Sequence, residues 1–174
     1  MGGSILSRWR YDHRGLGEMS IIIQRVFEPT PELRELIAAL DTVLNAAYEP
    51  HQRHGLRIEE LFEPHMRFFI ARLDGRAVGC GGVGLFGDYA EVKRMYTRPE
   101  ARGRGVAKAL LGRFEQEARA AGISILRVET GTEQHEAIAL YRGVGFAGCG
   151  AFGPYAAMPP DRVEMSLFFE KLLN

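Results

Sequence analysis

The sequence lacks most features of membrane, secreted and nucleic-acid-binding proteins. It has no apolar run long enough to span a bilayer. Its 22 basic and 22 acidic residues give a formal net charge of +0, so composition provides no general attraction to nucleic acid. The only two cysteines, Cys80 and Cys149, fit no zinc-binding spacing. We therefore expect a cytoplasmic protein with reduced thiols and with neither a membrane segment nor a nucleic-acid partner.

Metal-binding and secretory patterns are also missing. His51 and His54 lie three residues apart, but no cysteine or carboxylate accompanies them at metal-ligand spacing, so no metal is expected. The N-terminus has no apolar stretch of the kind that forms a secretory signal. We interpret residues 1–19 as a flexible leader, a tag remnant or an extension from an upstream start codon. Residues 20–174 are then a single domain.

What the sequence does contain is a succession of strand-like and helix-like segments. Alternating or apolar runs predict strands at 21–27, 66–73, 77–86, 89–97, 123–129, 145–152 and 163–170. Apolar residues at helical spacing predict helices at 30–48, 58–62, 105–121 and 133–143. The strand, helix and strand over 89–129 form a crossover unit, which normally places its two strands parallel.

A glycine-rich segment, Gly79 to Gly84, matches the pattern G-x-G-x-x-G of dinucleotide-binding proteins. That fingerprint must open a helix, whereas this segment leads into another predicted strand. We therefore reject it as a nucleotide site and expect its glycines to permit a bend or close packing.

A second glycine-rich turn, between the strand 89–97 and the helix 105–121, is suited to binding phosphate. The first N–H groups of a helix have no internal partner and lie at the positive end of its dipole. Glycine allows close approach of an anion, and arginine adds fixed charge. The turn comprises Arg102, Gly103, Arg104, Gly105, Val106 and Ala107.

Together with its flanking segments, this turn resembles a known superfamily. Glu91-Val92-Lys93-Arg94-Met95-Tyr96 precedes the turn, and Ala137-Ile138-Ala139-Leu140-Tyr141-Arg142-Gly143-Val144-Gly145-Phe146 follows it. All three resemble the GNAT superfamily of acetyl-CoA-dependent N-acetyltransferases. The resemblance implies an α/β (α+β) fold with a mixed, mostly antiparallel sheet of six to seven strands. A parallel central pair would splay apart, with helices on both faces.

The same resemblance implies how acetyl-CoA would bind. The 102–107 turn would wrap the pyrophosphate, and Met95, Tyr96 and Thr97 would offer backbone groups to the peptide-like pantetheine arm. Ala137 and the residue three positions before it would also contact the cofactor. Relatives often have asparagine at that earlier position, where this chain has Gln134.

Two residues are the candidate catalytic groups. Tyr141 occupies the position where related enzymes place a proton donor next to the thioester sulfur; the alternative is a packing tyrosine. Glu91 lies eleven residues before Arg102, like the catalytic glutamate of one branch of the superfamily, and would accept the amine proton. The alternatives for Glu91 are an ion pair with Lys93 or binding of a cationic substrate. Period-two alternation predicts that Glu91, Lys93 and Met95 share one strand face.

The acceptor side is expected to involve Tyr48, Lys93, Arg94 and Tyr155. Lys93 and Arg94 could bind an acceptor carboxylate or could equally form a charged strand edge, and His51 and His54 are expected to be surface groups. We expect direct transfer of acetyl from acetyl-CoA to the primary amine of a small molecule. The alternatives are a protein or ribosomal N-terminal acetyltransferase and a non-catalytic acyl-CoA-binding module. A homodimer is possible through the last strand.

Overall fold

The computed structural model describes residues 7–10 and 20–174. The strands are β1 (Ser7–Arg10), β2 (Ser20–Val26), β3 (Met66–Leu73), β4 (Arg76–Leu85), β5 (Ala90–Thr97), β6 (Ile125–Gly131), β7 (Ala147–Gly148) and β8 (Ser166–Leu172). The helices are α1 (Pro31–Ala47), α2 (Val106–Ala120), α3 (His135–Gly143) and the one-turn α4 (Pro160–Val163). Short 3-10 helices occupy Pro50–Gln52, Ile58–Phe62, Pro99–Ala101 and Gly153–Ala157.

The strands form one sheet in the order β1-β2-β3-β4-β5-β6-β8-β7. Every neighbouring pair is antiparallel except β5 and β6, which are parallel. The predicted mixed sheet with one parallel pair is therefore confirmed. The strand count reaches eight because β1 lies before residue 20. Most of the expected leader, residues 1–19, lies outside the described residues, and only its residues 7–10 are seen, paired with β2.

Helices cover both faces of the sheet, and each face has its own apolar core. On one face, α1 contributes Leu33, Leu36 and Ile37, which pack with Phe68, Ile70 and Cys80 from the sheet. On the other face, α2 contributes Val106, Leu110, Leu111, Phe114 and Ala118, which pack with Phe69, Val83 and Val92. The start of α1 follows from its sequence, because Thr30 accepts a hydrogen bond from the Leu33 N–H and Pro31 occupies the first turn.

Strand β5 contains a bulge that opens the sheet. Gly82 pairs with Lys93 and Cys80 pairs with Tyr96, so Arg94 and Met95 together oppose Gly81. Arg94 has a φ of 53°, in the left-handed region that few residues other than glycine adopt.

The bulge corrects one expectation from the sequence. Because it inserts one extra residue, the alternation reverses beyond it, and Met95 does not share a face with Glu91 and Lys93. The Met95 side chain packs against the α2-side core, while Tyr96 packs against the α1-side core.

Beyond the bulge, β5 and β6 separate. Their parallel pairing covers only Ala90 with Leu126, Glu91 with Arg127, and Val92 with Val128. The later residues of both strands are not paired with each other in this register. The result is a gap in the middle of the sheet, between the end of β5 and the end of β6.

Candidate active site

The 102–107 turn leads into the uncapped start of α2. Gly103 and Gly105 have φ values of 72° and 85°, and Gly105 precedes α2 with no side chain to cap the helix. Residues 102–105 are exposed, whereas Val106 is buried against the core. Arg102 donates from Nε to the Thr97 carbonyl at 3.3 Å and pairs with Glu136 at 2.9 Å. The turn therefore presents backbone N–H groups and positive charge to solvent.

A cavity of about 130 Å³ lies at the gap between β5 and β6. Nine of the residues predicted for the site line it: Tyr48, Glu91, Lys93, Arg94, Met95, Gln134, Ala137, Tyr141 and Tyr155. Tyr96, Thr97 and the 102–107 turn lie outside this lining. His51 also lies outside it, whereas His54 is part of the wall.

Glu91 is held in a three-membered hydrogen-bond cluster with Lys93 and Tyr155. Its side chain is 2% exposed, and its Oε1 accepts from Lys93 Nζ at 2.6 Å and from the Tyr155 hydroxyl at 2.8 Å. Lys93 also donates to the Tyr155 oxygen at 2.9 Å. Burial, followed by the charges of Glu91 and Glu129, raises the pKa of Tyr155, so this phenol stays protonated and donates to Glu91.

Tyr141 lies in the wall on α3 and is 4% exposed. Its ring packs against Phe146 and Phe169, with centroids 5.5 and 6.4 Å away. Burial, and to a lesser extent the charge of Glu129, raises the pKa of the Tyr141 phenol above its ordinary value. A tyrosine in this environment retains its proton at neutral pH, as a general acid must.

The structure adds Glu129, a carboxylate in the cavity wall that sequence reasoning missed. It lies on β6 and accepts a hydrogen bond from Ser166 Oγ at 2.6 Å. Desolvation is the main cause that raises its pKa, opposed by the Ser166 hydrogen bond and by the charges of His54 and Lys93. Its position at the C-terminal end of a strand beside the predicted gap was the available sequence pattern.

Two arginines form another part of the wall. Arg94 is 7% exposed and its Nη2 donates to Asp41 on α1 at 2.6 Å. Arg53, which was also missed, lies in the segment after α1 that covers the cavity. The Nε atoms of Arg53 and Arg94 are both buried without a hydrogen-bond partner.

Contacts across the wall hold the covering segment and the ends of the strands in place. The Glu133 N–H donates to the Tyr48 hydroxyl at 2.9 Å, and the Tyr48 phenol lies directly against Gly131, where a Cβ would overlap it. His54 is within 2.8 Å of the Arg162 carbonyl, and Gln52 donates to Glu164 at 3.2 Å. The segment 50–54 is thereby tied to α4 and to the residue that follows it.

The described part of the chain contains neither a candidate membrane helix nor a candidate metal site. None of the helices there is long and apolar enough to cross a membrane. Within the same residues, no group of three or more histidine, cysteine or acidic side chains is arranged to hold a metal ion.

Comparison with known proteins identifies the family. Residues 30–146 match the model of the acetyltransferase (GNAT) family. An IAA acetyltransferase of Azospirillum brasilense is 47% identical over 141 residues, which cover 80% of this chain and 89% of that protein.

Solved structures agree with this match. A crystal structure described as an acyl-CoA N-acyltransferase, from Klebsiella pneumoniae, is 36% identical with a TM-score of 0.69, covering 87% of this chain and 97% of the other. The PaiA N-acetyltransferase of Thermoplasma acidophilum, solved with coenzyme A, has a TM-score of 0.65 over 88% of this chain and 99% of the other. It is 19% identical, so this likeness concerns the fold alone. The chain belongs to the GNAT family of N-acetyltransferases.

Proposed function

We propose that this acetyltransferase transfers acetyl from acetyl-CoA directly to the primary amine of a small molecule, with both substrates bound together. The observation that carries the proposal is the cavity at the gap between β5 and β6. Its wall contains Tyr141, Glu91 and Glu129 at the open end of β5, and the chain continues from that end to the uncapped start of α2. A pyrophosphate at the turn and a pantetheine arm along β5 would bring a thioester to these side chains.

The chemistry assigns one proton to each side of the reaction. A free alkylamine has a pKa of about 10.4, so the acceptor must lose a proton before its nitrogen attacks the thioester carbon. In the proposed mechanism Glu91 takes that proton through a water, with Lys93 and Tyr155 holding its carboxylate in place. The C–N bond forms, the C–S bond breaks, and Tyr141 donates its proton to the departing thiolate. The nitrogen then loses its extra proton, which reprotonates the Tyr141 phenolate, and Glu91 releases its own proton to solvent, so both side chains return to their starting states.

Neither cysteine favours a covalent acetyl-enzyme. Cys80 is fully buried, and burial raises the pKa of its thiol to about 12. Burial also raises the pKa of Cys149. A thiol nucleophile needs a lowered pKa or an adjacent base, so direct transfer is the mechanism supported by these environments.

Calorimetry and initial-rate kinetics test the proposal. We expect acetyl-CoA to bind at low salt, and release of CoA thiol with at least one acceptor among amino acids, polyamines, aminoglycosides and N-terminal peptides. Direct transfer predicts intersecting double-reciprocal plots, whereas parallel plots would indicate a covalent intermediate. Absence of acetyl-CoA binding would contradict the proposal that acetyl-CoA is the acetyl donor. Turnover of N-terminal peptides alone would favour a protein acceptor.

A further inference from the structure

The charged groups of the cavity wall do not all neutralise one another. Lys93 pairs with Glu91 at 2.6 Å, and Arg94 pairs with Asp41 at 2.6 Å. Two groups are then left over, one of each sign. Glu129 has a hydrogen bond from the neutral Ser166 hydroxyl, and Arg53 has no ion pair with any residue whose side chain is described.

The guanidinium side of the cavity has unused hydrogen-bond donors. The Nε–H groups of Arg53 and Arg94 are buried without partners, and a buried donor without an acceptor is costly. The two side chains belong to neighbouring parts of the wall, since Gly55 packs so closely on Arg94 that a Cβ there would lie 2.5 Å from Arg94 Nη1. Guanidinium donors of this kind match the geometry of a carboxylate.

The carboxylate side of the cavity complements this arrangement. Glu129 influences Tyr141 electrostatically, which places the unpaired negative charge near the candidate proton donor. An ammonium group that reaches Glu129 would therefore be close to the reacting centre. One cavity of about 130 Å³ thus combines an unpaired acid with unpaired guanidinium donors.

We propose that the acceptor is an amino acid, a primary amine that carries a carboxylate. Glu129 receives its ammonium group, and the Arg53 guanidinium receives its carboxylate. This inference rests on the proposed acetyltransferase function and specifies its substrate class. It also reassigns the carboxylate contact that the sequence suggested for Lys93, because the Lys93 ammonium is engaged with Glu91 and Tyr155.

Matched acceptors test the inference. Each of the common amino acids would be compared with its carboxamide and with its decarboxylated amine, by release of CoA thiol at saturating acetyl-CoA. We expect at least one amino acid to be acetylated with a kcat/KM about 10- to 100-fold above those of its two analogues, as lost charge-assisted hydrogen bonds predict. Turnover of analogues as fast as of amino acids, or of no amino acid at all, overturns the inference.

Arg53→Gln tests the residue assigned to the carboxylate. This variant should remove most of the preference for the acid over its amide, while the KM for acetyl-CoA stays the same. The matched control is Arg57→Gln, on the same segment, because the Arg57 side chain is 80% exposed and lies outside the cavity. Retained preference in Arg53→Gln, or a raised KM for acetyl-CoA, contradicts the assignment.

The two proposals fail in distinguishable ways. If acetyl-CoA does not bind, the acetyltransferase proposal itself is wrong. If acetyl-CoA binds and only polyamines, aminoglycosides or peptides are acetylated, the enzyme assignment stands and the amino-acid acceptor is rejected.

Discussion

The turn before α2 and the wall around Glu91 are built from different chemical groups. In the turn, the groups proposed to bind acetyl-CoA are backbone N–H groups next to two glycines with positive φ, and residues 102–105 are exposed. In the wall they are side chains, buried and joined by hydrogen bonds between distant parts of the chain, such as Tyr155 to Glu91 at 2.8 Å. Backbone groups are the same in every protein, whereas a buried cluster of side chains depends on each of its members.

This difference suggests a division of tasks. The turn is suited to acetyl-CoA, which is the same acetyl donor whatever the acceptor, because a short glycine-rich segment is enough to form the turn. The wall is suited to a particular acceptor, because replacing one member leaves another buried group without a partner. The following predictions test that division, beginning with the largest expected effect.

Tyr141→Phe should slow acetyl transfer on the order of 100-fold, the lower end for general acids, because a thiolate leaves readily even without a proton. Acetyl-CoA affinity should stay almost unchanged, since the ring and its packing on Phe146 and Phe169 are retained. Turnover and calorimetry measure the two quantities. Tyr89→Phe, which removes a phenol outside the cavity lining, is the control. Equal turnover in both variants would make Tyr141 a packing residue.

Gly131→Ala should destabilise the protein by about 1–3 kcal/mol, because a methyl group there overlaps the Tyr48 phenol and forces repacking. The control is Gly112→Ala, in the middle of α2, where a Cβ meets nothing within 4 Å. That change should stabilise by up to about 1 kcal/mol through helix propensity. Urea denaturation measures both. A Gly131→Ala variant as stable as the parent would show that the wall is more adaptable than its contacts suggest.

Gly105→Ala should weaken acetyl-CoA binding by about tenfold, equivalent to about 1.4 kcal/mol, because alanine disfavours the conformation that exposes the first N–H groups of α2. Gly75→Ala is a matched control, since Gly75 has a φ of 84° in the β3–β4 turn and Gly105 has 85°. Both variants should lose similar stability. Only Gly105→Ala should bind acetyl-CoA less tightly. Equal acetyl-CoA affinities of the two variants would show that the turn does not bind the phosphates.

Glu129→Gln should raise the melting temperature at pH 8, the smallest of these effects. Burial raises the folded-state pKa of Glu129, so its ionised form costs stability. Below about pH 3, well under the ordinary glutamate pKa of about 4.3, the side chain is neutral in both folded and unfolded states, and the penalty disappears. It grows as pH rises through the folded-state pKa. The gap between variant and parent should therefore widen from pH 4 to pH 8, and a constant gap would contradict this.

Local patterns predicted most of the fold. The boundaries of β3 agree with the predicted 66–73, and those of α1 and α2 agree within one residue at each end, because periodicity and capping residues are encoded in neighbouring positions. The prediction was less accurate for the C-terminal part of the chain. The strand expected at 145–152 is reduced to the two residues of β7, in a segment where Gly145, Gly148 and Gly150 weaken strand pairing.

The site was predicted in part. Motifs placed Tyr141, Glu91, Lys93 and Tyr155 near one another, and the structure brings all four to one cavity. The particular pairings were not predictable, because Tyr155 and Glu91 are 64 residues apart and their contact depends on tertiary packing. Arg53 was missed because nothing in its immediate sequence distinguishes it from an ordinary surface charge, and Glu129 was marked only by its place at the end of a predicted strand.

The bulge at Arg94 reverses the alternation of side chains between the two faces of β5. Before it, odd-numbered positions such as Glu91 and Lys93 lie on the α1 face; after it, the even-numbered Tyr96 does. Deleting a single residue at this point would restore regular alternation along the whole strand. Every side chain on one side of the deletion would then move to the opposite face of the sheet. Substitutions in β5 alter individual contacts, whereas a one-residue change in length would rearrange the cavity wall as a unit.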